Sequence, residues 1–352
     1  MIALAHHLPR VRVPWVSIGR WPTPLTELDL EGRPVWVKHE GDAHPAYGGN
    51  KIRTLEVWFG EAQARGARRI WAMGAYGSNH AIATVVHAPL AGLEAATMMF
   101  PQPISAWAVE NCGALVASGC PLLRLRSVVS VPLAAWRVAR RERDAVVMPP
   151  GGATTIGTFG ALNAAFELAE QIEARLAPPP RRIVLAVGST CTTAGLLAGL
   201  HLARAIGVWR WPVPIVHGVR VTPWPVTSRL RTADLARRTL ARVERIGGPR
   251  VAIGLGALVG GLVIDGRELG AGYGRSTPQC EAAMRQIGAP RLDGVYSGKA
   301  AAALIRLHRA GIGPLVFWAS KSTAVLAPER AAVLQNAPPL VAEWLRRADR
   351  RT

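Results

Sequence analysis

The chain has 352 residues, of which 49% are hydrophobic and 18% charged, with a formal net charge of +19. This balance excludes a disordered or fibrous chain and suits a globular protein of about two domains. The positive charge comes from scattered arginines at helical spacing with alanine and leucine, as in 229–250, so solvated helix faces are expected and a nucleic-acid surface is not.

Short apolar runs alternate with helical patterns almost throughout. Strands are expected at 35–38, 69–73, 95–99, 122–125, 145–148, 183–187, 215–219 and 315–318. Helices are expected at 53–65, 79–91, 105–118, 157–176, 193–205, 233–246, 278–287, 298–310 and 328–347. The alternation predicts an α/β protein: two domains, each an open, mostly parallel twisted sheet covered by helices. Breaks at Met148-Pro149-Pro150-Gly151-Gly152 and Ala177-Pro178-Pro179-Pro180 suggest a small domain over 51–159 and a larger one from 1–50 plus 160–352. The functional site is then expected in the loops at strand ends.

Four cysteines (Cys112, Cys120, Cys191, Cys280) are widely spaced, which indicates neither a disulfide framework nor a metal site. No apolar run of about 18 residues occurs, so no membrane span is expected. The opening MIALAHHLPRVRVPW lacks the layout of a signal peptide, and a cytoplasmic location is expected.

Four loops can carry chemistry. Gly48-Gly49-Asn50-Lys51 holds one of only four lysines in the chain (Lys38, Lys51, Lys299, Lys321). An amine whose pKa falls with its surroundings can form a Schiff base, and a guanidinium cannot. Gly74-Ala75-Tyr76-Gly77-Ser78-Asn79-His80 follows a strand and opens a helix, where backbone amides favour an anion such as a carboxylate. Gly188-Ser189-Thr190-Cys191-Thr192-Thr193-Ala194-Gly195 is a hydroxyl-rich strand-to-helix turn suited to a single phosphate. It is neither a Walker loop nor G-x-G-x-x-G. The fourth, Leu292 to Ala300, carries Tyr296 and, with Gly272-Tyr273-Gly274 outside it, offers two phenols flanked by glycines as candidates for proton transfer.

In this order, the loops resemble those of the pyridoxal-phosphate enzymes of the tryptophan-synthase-β-like fold, nearest to D-cysteine desulfhydrase and 1-aminocyclopropane-1-carboxylate deaminase. The likeness runs from Trp36 to Trp318 and includes Lys38-His39-Glu40, Gly151-Gly152, Gly272-Tyr273-Gly274 and Val295 to Ala300. It implies that Lys51 holds pyridoxal 5'-phosphate covalently and that Asn79 bonds the ring hydroxyl. The turn of Ser189, Thr190, Cys191, Thr192 and Thr193 would hold the phosphate. Ser78 would meet the substrate carboxylate or share in proton transfer, with His80 beside it. Tyr273 and Tyr296 would line the substrate side, and Ser320 or Ser297 would face the pyridine nitrogen. The implied activity is α,β-elimination from a small amino acid, giving a keto acid and ammonia, by a homodimer.

The chain departs from the family pattern at Thr54, where a basic residue is usual, at Gly77, at Thr190-Cys191 and at Ala319-Ser320-Lys321-Ser322. These changes motivate an alternative reaction, β-replacement or racemisation in a specialised pathway. They also motivate an alternative of another class, a non-catalytic cofactor-binding protein.

Overall fold

The computed structural model describes residues 2–350. Ten strands form two sheets. β1 (Leu25–Leu30), β2 (Arg33–His39), β7 (Arg182–Val187), β8 (Ile215–Arg220), β9 (Leu262–Asp265) and β10 (Leu315–Ala319) form one, in the order β1-β2-β10-β7-β8-β9. β3 (Arg69–Ala75), β4 (Glu94–Phe100), β5 (Leu122–Arg124) and β6 (Ala145–Val147) form the other, in the order β5-β4-β3-β6. Every pairing is parallel except the β1–β2 hairpin.

Thirteen helices occur among the described residues: α1 (Ala3–His7), α2 (Lys51–Ala64), α3 (Asn79–His87), α4 (Ala106–Ala117), α5 (Val131–Arg141), α6 (Thr158–Glu173), α7 (Cys191–Ala205), α8 (Arg229–Arg245), α9 (Leu255–Gly260), α10 (Pro278–Ile287), α11 (Ser297–Arg309), α12 (Arg330–Asn336) and α13 (Pro339–Asp349). No helix among the described residues is long and apolar enough to cross a membrane.

Side-chain alternation along the strands divides the cores. In β10, Val316 and Trp318 join the cluster of α6, α7 and α8, while Leu315, Phe317 and Ala319 join that of α11. In β3, Ile70 and Ala72 pack toward α2, α3 and α4, while Trp71 and Met73 pack toward α5.

Several elements differ from expectation. β1 and β9 are not among the expected strands. β1 (LTELDL) is an edge strand buried only at its ends, so its pattern is weak. β9 has four residues. α5 is also additional, and it carries Pro132 in its first turn, where a missing N–H costs little. The helix expected over 328–347 is two helices, because Pro338 and Pro339 cannot continue the ladder. Val333, Val341 and Leu345 of these helices pack into the smaller sheet's cluster, although the sequence division groups them with the larger part.

A buried charge network ties α2 to the larger sheet. Arg53 donates to both oxygens of Glu40 (2.7 and 2.8 Å) and both oxygens of Glu167 (2.9 and 3.0 Å). Lys38, on β2, donates to Glu167 and to Gln171 of α6. All four charged groups are buried. Against the pull of burial, Arg53 and Lys38 hold the Glu167 carboxyl down to about 2. One turn on, Glu56 accepts from Trp15, Trp21 and the amides of Ile18 and Gly19.

Replacing Glu167 by alanine strands two buried cations. The expected loss is about 3–5 kcal/mol at neutral pH, read by urea denaturation. The sign with pH follows from the depressed carboxyl. Its contribution is complete above the ordinary carboxylate value of 4.5 and is lost as pH falls from there through about 2. The gap between wild type and Glu167→Ala should therefore narrow in acid.

Candidate functional site

Both sheets point the C-terminal ends of their parallel strands at one cavity of about 460 Å³. Its walls come from the loops after β3, β6, β7, β8 and β10, the start of α2 and the helix-start loop of Tyr296.

Lys51 opens α2 and lines this cavity. The turn before it is set by close backbone packing. A Cβ on Gly48 would lie 1.8 Å from the Gly41 carbonyl oxygen, and Gly49 has φ +104°. Gly49 N–H donates to the Glu40 carbonyl, and Gly48 N–H to the Ser322 hydroxyl. The glycine pair therefore seats the turn against neighbouring backbone. Burial lowers the Lys51 pKa below its ordinary 10.5, which favours the neutral, nucleophilic amine.

Opposite lies the start of α7. The amides of Cys191, Thr192 and Thr193 precede the first helical hydrogen bond, which runs from Ala194 N–H to the Thr190 carbonyl. Thr190 takes φ +72°, and its buried hydroxyl oxygen has no partner among the described residues. Asn50 donates to the Thr192 hydroxyl at 2.9 Å. Ser189, Thr190, Cys191, Thr192 and Thr193 all line the cavity. The Cys191 thiol lies 3.5 Å from the Gly152 carbonyl oxygen and 3.8 Å from the Thr54 hydroxyl, and burial raises its pKa. Thr54 fills the space beside Gly152 and Gly157, so the basic residue expected there is replaced by packing.

From the smaller sheet, Ser78 caps α3 by accepting from Ala81 N–H. Asn79 Oδ1 accepts from the Tyr47 hydroxyl and from Asn111 Nδ2, both at 2.8 Å. Asn111 also donates to the Gly77 carbonyl, which fixes its amide. Asn79 Nδ2 is thereby left as the free donor at the cavity wall. His80 lines the same wall with neither ring nitrogen bonded, and burial beside Lys51 lowers its pKa to about 3, so it is neutral.

On the other side, the Tyr273 and Tyr296 hydroxyls meet at 2.8 Å. Burial raises both pKa values, that of Tyr296 well above 10, so both phenols hold their protons. Ser320 lines the cavity at the end of β10. Ser297 does not line it. Its hydroxyl donates to Asp293 at 3.0 Å and accepts from the Asp293 amide, closing the turn that presents Tyr296. Of these two serines, only Ser320 lines the cavity. The His6, His7 and Glu170 side chains come within 4.8 Å of one another, but none of them lines the cavity.

The profile of the family described as "Pyridoxal-phosphate dependent enzyme" matches residues 16–314. The chain belongs to that family. It is 31% identical to nocardicin C-9' epimerase of Nocardia uniformis subsp. tsuyamanensis over 343 residues, covering 93% of this chain and 96% of that protein. It is 30% identical to D-cysteine desulfhydrase of Salmonella paratyphi B over 218 residues, covering 56% of this chain and 62% of that protein. Among solved structures it is similar to an ACC deaminase homologue, with TM-score 0.72, 26% identity, and coverage of 95% of this chain and 98% of that one. A fungal L-serine ammonia-lyase from Rhizomucor miehei, at 16% identity and TM-score 0.57, shares the fold over 92% of this chain and 98% of that one.

The cavity of this pyridoxal-phosphate enzyme fits the cofactor on its own donor set. An amine of lowered pKa faces an orphaned buried hydroxyl and three free helix-start amides, as an aldehyde and a phosphate on one ring require. The structure adds Tyr47 and Asn111 to the residues singled out from the sequence, and gives Asn50 and Ser322 of the quoted loops hydrogen bonds within the site. Tyr47 and Asn50 adjoin the glycine pair, which is a signal in itself. Asn111 lies mid-helix with none.

Gly151 has φ +66°, and a Cβ there would lie 2.3 Å from Ser189 Oγ and 3.4 Å from Lys51 Nζ. Gly151→Ala should weaken pyridoxal-phosphate binding by roughly tenfold or more, given a left-handed backbone cost of about 1–2 kcal/mol plus the clash. A fluorescence titration of the apoprotein checks this, with urea denaturation to separate folding from binding.

Proposed function

We propose that this enzyme deaminates a small amino acid by α,β-elimination: the β-substituent leaves with a proton, and water hydrolyses the resulting enamine to a keto acid and ammonia. The observation that carries the reading is one cavity that brings together Lys51 with its lowered pKa, the start of α7, the start of α3 and the two paired phenols of Tyr273 and Tyr296. The names of relatives support it, D-cysteine desulfhydrase and the ACC deaminase homologue among them.

Bound pyridoxal phosphate supplies the electron sink that acidifies the α-proton. The protein does the rest. The hydroxyls of Ser189, Thr190, Thr192 and Thr193 and the α7 amides would hold the phosphate, Asn79 the ring oxygen, and Ser320 the ring nitrogen. Ser78 and the α3 amides orient the substrate carboxylate. With the cofactor bound, the Lys51 amine would be the group placed to accept the α-proton. The Tyr273–Tyr296 pair donates a proton to the departing β-substituent.

A second reading, racemisation or epimerisation, is favoured by the near full-length similarity to the Nocardia epimerase. Lys51 would again remove the α-proton, and the tyrosine pair would return one to the opposite face. A small domain over 51–159, with the C-terminal helices over it, and a larger one from the remainder belong to the same proposal. So do a homodimer and a cytoplasmic location, which the family resemblance supports.

The holoenzyme, incubated in deuterium oxide with D-cysteine and L-cysteine, separates the readings. Elimination predicts keto acid and ammonia; epimerisation predicts α-deuterated amino acid of inverted configuration without keto acid. Absence of both products and of α-exchange with a wider amino-acid panel would refute both. Tyr296→Phe should lower turnover by roughly 10²-fold or more while α-proton exchange persists, because Lys51 is untouched.

A further inference from the structure

The cavity reaches beyond the groups that hold a cofactor and an α-amino acid. Past β8 the chain runs through Thr222, Pro223 and Val226 to Arg231 in the first turn of α8, and all four line the cavity. Phe100 and Val128 line it from the smaller sheet. Val128 and Val226 are exposed, as are their neighbours Val129 and Trp224, so this end is an open, apolar mouth. The loop is held in place: the Thr222 and Thr227 hydroxyls both donate to the Gly188 carbonyl, and Ser228 caps α8 by accepting from Arg231 N–H.

Arg231 is the one arginine in the cavity wall among the described residues. Its neighbours are engaged elsewhere. Arg229 donates to the Val259 carbonyl. Asp234, three residues on and the natural helical partner for Arg231, gives one oxygen to Arg237 at 2.8 Å and the other to Arg238 at 3.0 Å. Among the described residues no acid pairs with Arg231. The loop that leads to it packs at Gly188, where a Cβ would lie 3.3 Å from Tyr296 and 3.8 Å from Thr222, so it borders the tyrosine side of the site.

We infer that Arg231 binds an anionic group at the far end of the substrate side chain, and that the enzyme takes amino acids with an apolar stem ending in a carboxylate or similar anion, longer than cysteine. The inference rests on the proposed function, since it places the reacting amino-acid end at Lys51. Apolar walls at the mouth strengthen a guanidinium–carboxylate pair, and the planar fork of arginine matches that anion bidentately.

The test uses holoenzyme titrated with both enantiomers of 2-aminoadipate and of the neutral norleucine, following the absorbance of bound cofactor. Wild type should bind one enantiomer of 2-aminoadipate roughly tenfold or more tightly than the matching norleucine, the preference shrinking with salt. Arg231→Gln should abolish that preference while cofactor occupancy stays full, and Arg231→Lys should restore part of it. Equal binding of the two amino acids by wild type, or a preference that survives Arg231→Gln, overturns the inference and leaves the proposed function standing. Loss of cofactor from Arg231→Gln also overturns it, by assigning the arginine to the phosphate. Full cofactor occupancy with no spectral response to any amino acid would remove the proposed function and this inference together.

Discussion

The site depends on the pairing of Arg53 with Glu40 and Glu167. Arg53 lies two residues past Lys51 on the same first turn of α2. Its guanidinium is bidentate to both carboxylates, and Lys38 completes a buried set of two cations and two anions. Partners on β2's exit, α6 and β2 itself thus converge on the turn that carries the reactive amine. A buried network of this kind contributes little net stability compared with an apolar core, but breaking it is costly, so it specifies one arrangement. Here that arrangement puts Lys51 in the cavity and Arg53 in the protein interior.

Lys51 then works by contrast with its surroundings. The interior charges are compensated, while the amine itself forms no ion pair with the described residues and is pushed toward neutrality by desolvation. The loop 319–322, which departs from the family pattern, supports the same turn. Ser322 accepts from Gly48 N–H, and the Ser320 carbonyl accepts from Asn50 N–H at 3.4 Å. Its third residue, Lys321, is buried with its amine 5.5 Å from the Tyr47 ring, behind the hydroxyl that fixes Asn79. Altered residues around the cofactor have therefore taken up positions that brace the site rather than open it.

Much of the fold is legible in the sequence because parallel strands read as short apolar runs, and eight of the ten strands show that pattern. The two that escape it lie at the two edges of the larger sheet, where polar residues such as Glu27 and Asp29 blur the pattern. The region 328–347 reads as a single helix because its amphipathic spacing continues across the two prolines that interrupt it. At the site, residues that open helices after strands are legible: Lys51, Ser78, Asn79 and Thr190 stand beside glycines or helix starts. Ser297 misleads for the same reason, since a hydroxyl at a helix start can cap a turn as readily as face a ligand, and Asp293 decides which. Asn111 and Arg231 emerge from tertiary proximity alone. Neither has a local motif, and Arg231 is one arginine among 38.

We propose that Lys51, of the four lysines, carries the cofactor. Borohydride reduction of the yellow holoenzyme followed by peptide mass mapping tests it directly. The predicted result is a stoichiometric pyridoxyl-phosphate mass addition on the peptide containing Lys51, with Lys38, Lys299 and Lys321 unmodified. Stoichiometric label on one of those three, or none on a protein that had bound the cofactor, would contradict it.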